Sequence, residues 1–164
     1  MPGNYIFRTP IGFLEIREEN EKLTRLSLVQ GGAQAAVQQQ KFEHHSELLY
    51  EAFRQINEYF DGKRTCFHLP LHCEGTAFQQ RVWKELQTIP YGQTRSYEQI
   101  AAGVGNPKAV RAVGAANGKN PILIIVPCHR VIHKNGDISG FACGIQVKRY
   151  LLDLEKRNQT VLIS

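Results

Sequence analysis

The sequence predicts an α/β (α+β) protein, with a small N-terminal domain built on an antiparallel sheet and a mostly helical C-terminal domain carrying a helix-turn-helix. Three observations lead there. Apolar residues alternate with period two between residues 5 and 29, and they recur at helical spacing over 46–60 and in short segments after 76. The formal charge also changes sign along the chain. Residues 1–76 hold 8 Lys/Arg against 10 Asp/Glu, residues 77–164 hold 12 against 5, and the whole carries +5. The expected domains are 1–75 and 76–164, with the helix-turn-helix at about 96–117.

Each element has a local reason. Tyr5-Ile6-Phe7-Arg8, stopped by Thr9-Pro10, the alternating run 11–17, and 22–29 with Leu23, Leu26 and Leu28 read as three strands of a meander. Residues 33–41 are small and Gln-rich, a surface loop or a poor helix. In 46–60, Leu48, Leu49, Phe53, Ile56, Tyr59 and Phe60 form one stripe, with Ser46 placed to cap the helix and Asp61-Gly62 to stop it. Residues 66–75, with Pro70 and Gly75, read as a strand leading into a linker.

The second half is helical with short loops. Thr76 caps a helix striped by Phe78, Val82, Trp83 and Leu86, which Ile89-Pro90-Tyr91-Gly92 ends as a turn. Ser96 caps 97–104, and Gln99 completes a capping-box pattern. Gly105-Asn106 breaks the chain, and Pro107 suits the first position of a helix reaching about Asn117. The apolar run 122–126 reads as a buried extended segment entering Pro127-Cys128-His129-Arg130, and a last helix covers about 145–156.

Composition excludes some classes. With 42% hydrophobic and 21% charged residues the chain is not a disordered one. The longest apolar run is five residues, and 1–20 lack a signal-peptide core, so the expected location is the cytoplasm, away from membranes. Cys66, Cys73, Cys128 and Cys143 are then reduced, each a structural thiol, a ligand or a nucleophile.

The basic half suits a polyanion or is simply a solvated basic surface. Segment 96–117 has the length of a helix-turn-helix and also of an ordinary αα-hairpin. Its second helix, 108–117, is mostly small residues around Arg111. Long side chains that read base edges are scarce, while small ones let a helix approach a phosphate backbone. That favours binding with little sequence preference over a sequence-specific repressor.

Cys128 beside His129 reads either as nucleophile and base or as a buried structural thiol. A neighbouring imidazole and local dipoles can lower a thiol's pKa. Glu155 is a candidate third member, orienting the histidine. Cys66, His68, His72 and Cys73 are superficially zinc-like, but their spacing matches no common arrangement and Pro70 sits among them, so no metal is assigned. His44-His45 and His133 read as solvated loop or turn residues.

Pro127-Cys128-His129-Arg130-Val131-Ile132 resembles the signature of the O6-alkylguanine-DNA alkyltransferases. Thr76-Ala77-Phe78-Gln79, Val82-Trp83, Ile89-Pro90-Tyr91-Gly92, Ser96-Tyr97, Asn106-Pro107, Arg111-Ala112-Val113-Gly114, Asn120-Pro121 and Lys148 with Leu151–Glu155 follow the same family in order. The resemblance is close over 65–160; the N-terminal part matches in its strand-then-helix layout. It implies a ribonuclease H-like N-terminal domain and a C-terminal domain with the helix-turn-helix and the cysteine. The implied activity is direct reversal of damage: an O6-alkylguanine, or an O4-alkylthymine, is flipped from the duplex and its alkyl group moved irreversibly onto the cysteine.

The resemblance also implies roles. Cys128 is the acceptor, His129 its base through a water, and Glu155 holds the imidazole. Tyr97 donates a hydrogen bond to the departing guanine, Arg111 fills the vacated base position, and Asn120 links the loop before the cysteine to the helix-turn-helix. Ser96, Ala109, Ala112, Gly114 and Ala115 share the DNA-facing surface with Tyr97 and Arg111. The carbonyls of Cys128 and Val131 accept from the guanine amino group, and Lys148 stands near the pocket. Phe141, Ala142 and Cys143 form its lip, where Cys143 replaces the family's usual glycine and is expected to slow bulky O6-benzylguanine-type substrates. No cofactor is implied. The partner is duplex DNA bound by a monomer, open to packing beside further copies along the strand. A DNA-binding protein that senses alkyl lesions without turnover is the alternative; such proteins lack the cysteine.

Overall fold

The computed structural model describes residues 3–31, 37, 46–138 and 140–163, without the side chains of 160–163. Apart from Val37, the segment 33–41 and the pair His44-His45 lie outside the described residues. The chain divides into two compact units, Met1–Cys73 and Glu74–Ser164.

In the first unit, β1 (Gly3–Thr9), β2 (Gly12–Glu19) and β3 (Lys22–Leu28) form an antiparallel sheet in sequence order. Alternation puts Tyr5, Phe7, Leu14 and Ile16 into the core. Leu23 and Leu26 are both buried although three apart, because the register jumps between Arg17 and Glu18 and leaves Thr24 unpaired as a bulge. Asn20 and Glu21 turn β2 into β3 with φ of 53° and 63°, the left-handed conformation that a two-residue hairpin loop requires. Helix α1 (Glu47–Phe60) is capped by Ser46, whose Oγ accepts from Leu49 N at 3.0 Å. Phe53 meets the rings of Tyr5 and Phe7 edge-on at 5.4 and 5.0 Å.

The predicted strand in 66–75 shrinks to a single bridge between Leu71 and Leu23. Leu23 N donates to Pro70 O and Leu23 O accepts from His72 N, but Pro70 has no N–H to carry the ladder further.

The second unit holds α2 (Ala77–Leu86), β4 (Arg95–Ser96), α3 (Tyr97–Gly103), α4 (Val110–Gly118), β5 (Val131–Ile132) and α5 (Ile145–Ile163). Both capping boxes are closed, Thr76 with Gln79 and Ser96 with Gln99. Val82, Trp83, Leu86, Ile100, Val113, Leu151 and Leu154 are buried. A Cβ on Gly75 would stand 2.6 Å from the Trp83 ring, so the chain enters this unit where no larger residue fits.

Three sequence readings change here. Pro107 does not begin α4: Ala109 N donates to Asn106 O in a turn, and the helix starts at Val110 with no side-chain cap. The run 122–126 is buried at four of its five residues but coiled into turns, with Val126 N donating to Ile122 O at 3.1 Å and Ile124 at φ 70°. The last helix continues to Ile163.

Candidate active site

Asn120 organises the approach to Cys128. Its Nδ2 donates to Val126 O at 2.7 Å and its Oδ1 accepts from Ile122 N at 3.0 Å, closing the turn from both ends. The chain then passes Pro127 into one 3₁₀ turn, Cys128–Arg130. Directly after it, Val131 pairs with Arg95 and Ile132 with Ser96 in a short parallel ladder. That ladder brings the start of α3, and with it Tyr97, beside the turn.

Cys128 is 2% exposed. Burial, with a further push from nearby Cys143, raises its thiol to about 11 against the opposing hydrogen bond of Asn120 and charge of Lys148. An adjacent imidazole is expected from the sequence to lower it. Desolvation outweighs any such help, because it penalises the charged form directly.

His129, Arg130 and Glu155 form a closed hydrogen-bonded group, ionic between Arg130 and Glu155. His129 Nε2 lies 2.6 Å from Glu155 Oε2, while Arg130 donates from Nε to Glu155 Oε1 at 2.8 Å and from a terminal nitrogen to Oε2 at 3.0 Å. Gly92 N adds a donor to Oε1 at 3.2 Å. Gly92 has φ 78°, and a Cβ there would meet the Gln159 side chain at 2.6 Å. Burial alone would raise the Glu155 carboxyl, but His129 and Arg130 overcome it and hold the group well below the usual carboxylate range.

Burial lowers the His129 pKa despite the pull of Glu155. The imidazole is therefore neutral near pH 7, with Nε2 donating to Glu155. Its Nδ1 then carries the lone pair, and this atom is buried with no hydrogen-bond partner among the described residues. Arg130 also donates to Ile89 O at 2.7 Å and lies over the Tyr91 ring. Its part in the group was not legible from the sequence, since contact with a residue 25 positions away leaves no local pattern.

Lys148 is fully buried and makes no ion pair among the described residues. Its Nζ donates to Val131 O and lies 5.9 Å from the Tyr97 ring centre and 5.5 Å from that of Phe141. Burial lowers its pKa, against the charges of Cys128 and Asp137. Tyr97 is 9% exposed, and burial raises its hydroxyl pKa, so it stays a donor. Phe141 and Cys143 are half-buried and Ala142 is exposed. The structure thus groups Cys128, His129, Glu155, Asn120, Lys148, Tyr97, Val131 and Phe141.

Helices α3 and α4, joined by a turn with Gly105 at φ 84°, make the helix-turn-helix. Arg111, Ala112 and Ala115 are exposed on α4, and Ser96, Ala109 and Gly114 are half-buried. Arg111 stands outside the buried cluster. The other side of α4 buries Val113, Ala116 and Asn117. Trp83 Nε1 donates to Ala116 O at 2.9 Å, and Asn117 Nδ2 donates to Cys128 O at 3.3 Å. Asn117 Oδ1 is buried without a hydrogen-bond partner among the described residues, a cost of about 1–3 kcal/mol. The contact with Cys128, 11 positions on, leaves no local pattern in the sequence.

Cys66 Sγ and His68 Nε2 are 3.6 Å apart, but no three His, Cys, Asp or Glu side chains gather as a metal cluster among the described residues. No helix among them is long and apolar enough to cross a membrane.

The family described as 6-O-methylguanine DNA methyltransferase matches twice, its ribonuclease-like domain at residues 5–73 and its DNA binding domain at 77–157. A methylated-DNA–protein-cysteine methyltransferase of Methanosarcina acetivorans is 47% identical over 150 residues, 92% of this chain and 96% of that one. The crystal structure of the Mycobacterium tuberculosis O6-methylguanine methyltransferase matches with a TM-score of 0.84 at 43% identity, covering 99% of each chain. That of the Mycobacterium tuberculosis OGT in complex with DNA matches at 0.83 and 46%, covering 94% of this chain and 93% of the other. The chain belongs to the 6-O-methylguanine DNA methyltransferase family.

Proposed function

We propose that this protein repairs duplex DNA by direct reversal, moving the alkyl group of O6-alkylguanine onto Sγ of its own Cys128, once per molecule. The observation that carries this reading is the Cys128–His129 turn. Glu155 fixes the imidazole through Nε2, which leaves a buried basic Nδ1 on the residue adjoining a buried thiol. The proton leaves the thiol for that nitrogen, through a water. The thiolate attacks the alkyl carbon in line with the carbon–oxygen bond, forming the C–S bond as C–O6 breaks. The electron pair stays with the guanine, which takes up a proton as it departs. Tyr97, kept protonated by burial, donates to the base and stabilises the developing charge.

The base reaches the thiol only out of the stack. In this reading the small-residue surface of α4 approaches the duplex without reading its sequence, and Arg111 occupies the place the base leaves. The carbonyls of Cys128 and Val131 take the guanine amino group, each sharing its oxygen with a protein donor, Asn117 or Lys148. Phe141, Ala142 and Cys143 form the pocket lip, and the protein acts as a monomer. A lesion sensor without turnover would have no use for a thiol paired with an oriented base.

Incubation with a duplex carrying one O6-methylguanine, followed by intact-protein mass spectrometry and peptide mapping, tests the reading. One CH₂ unit gained on the Cys128 peptide, saturating at one per protein, is the expected result. Tight binding with no mass gain would establish the sensor instead.

A further inference from the structure

We infer that Asn117 is a positioning residue that ties the DNA-facing helix α4 to the backbone of the reactive cysteine. The inference rests on the proposed transfer to Cys128 and gives a part of its own to a residue that so far figures only as a second donor to the Cys128 carbonyl. Helix α4 has two faces. Arg111, Ala112 and Ala115 stand exposed on one, at spacings of three and four, while Val113, Ala116 and Asn117 are buried on the other. Whatever meets the exposed face pushes on a helix whose inner side chain Asn117 holds the carbonyl of Cys128 itself. Asn120, three residues on, holds the turn before Cys128 by Val126 O, and its own N–H donates to Asn117 O at 3.4 Å. Two asparagines at the end of one helix therefore fix the cysteine segment, one ahead of the reactive residue and one on it.

Beside that bond stands the Oδ1 of Asn117, in a residue 5% exposed and with no hydrogen-bond partner among the described residues. An apolar side chain of the same outline would fill that site without burying an acceptor that no described residue satisfies. Packing alone therefore does not account for an amide there, and native proteins keep such groups where they have another task. The task the geometry offers is donation from Nδ2 to Cys128 O, a link from the exposed-faced helix to the carbonyl bonded to the nucleophile's Cα.

Asn117→Leu keeps the branched outline and removes both the donor and the orphan acceptor; Asn117→Ala serves if leucine overfills the site. Four quantities are measured for each variant and the unaltered protein: Tm, affinity for undamaged duplex, the saturating single-turnover rate on duplex O6-methylguanine, and the rate with free O6-methylguanine base. The expected result is an unchanged or higher Tm, unchanged duplex affinity, a duplex rate lower by about tenfold, and a smaller loss on the free base. Equal losses on the two substrates, or no loss on duplex, would overturn the inference while leaving the transfer reading intact. Absence of transfer by the unaltered protein would overturn both.

Discussion

In the first unit the ion pairs among the described residues lie at or near the surface: Arg54 reaches Glu51 and Glu58 along an exposed face of α1, Arg64 also meets Glu58, and Arg17 meets Glu15 on the sheet. In the second, His129, Arg130 and Glu155 pair with at most 6% of any of them exposed, and Lys148 is buried with no ion pair among the described residues. Gln55 is the one buried polar residue of the first unit, among those described, against five in the second. Burying charge is unfavourable, and exposed pairs add little to stability. The first unit is thus held by its aromatic and aliphatic core. The second carries a costly polar interior in the same unit as the buried thiol.

The sharpest test of that contrast is the thiol. Cys128→Ser should abolish alkyl transfer, read by mass, while leaving duplex affinity unchanged; residual transfer would move the acceptor elsewhere. Next comes a matched pair of charge removals. Glu155→Gln strands the Arg130 guanidinium under cover and should cost about 3–5 kcal/mol in chemical denaturation. Glu51→Gln breaks an exposed pair and should leave the unfolding midpoint where it is. Equal effects would erase the distinction between the units.

Stability against pH should carry two signatures of the second unit. The Glu155 carboxyl is held below its ordinary range when folded, so the unfolded chain binds its proton first as pH falls. Its stabilisation is full above about pH 5 and is lost on acidification, a limb that Glu155→Gln should flatten. The Cys128 thiol keeps its proton to about 11 when folded, while the unfolded thiol releases it near 9.0. Stability should therefore drop by up to about 2–3 kcal/mol between those values, and this limb should vanish in Cys128→Ser. Denaturation midpoints measured across pH decide both.

Smaller effects probe the surface and the lip. Arg111→Ala should slow repair of duplex by about tenfold and reaction with free base much less. Equal losses would take base displacement away from Arg111. Cys143→Gly should speed O6-benzylguanine by about two- to tenfold, and an unchanged rate would clear Cys143 of restricting the pocket.

How far these features could be read in advance depended on their range. The capping boxes at Thr76 and Ser96 need only four consecutive residues, and the meander declares itself by alternation. The Cys128 and His129 neighbourhood was visible as a motif, and its resemblance carried Glu155, Tyr97 and Asn120 with it. Apolar content in 122–126 told burial correctly but not backbone, because it was Asn120 that closed the turn and Ile124 that took a left-handed φ. Pro107 misled because a proline that suits a helix start also suits the turn before one. The bonds of Arg130 and Asn117 depend on how distant segments pack, and no spacing records that.

The raised thiol of Cys128 has a consequence for the resting molecule. At pH 7 a thiol whose pKa burial has raised this far is protonated in nearly every molecule. Peroxides and small soluble electrophiles react with the thiolate, so they find almost none of it, and little of the sulfur is open to solvent. A protein that can act only once must wait intact among such reagents. The same burial that makes the thiol a reluctant acid gives it a long shelf life.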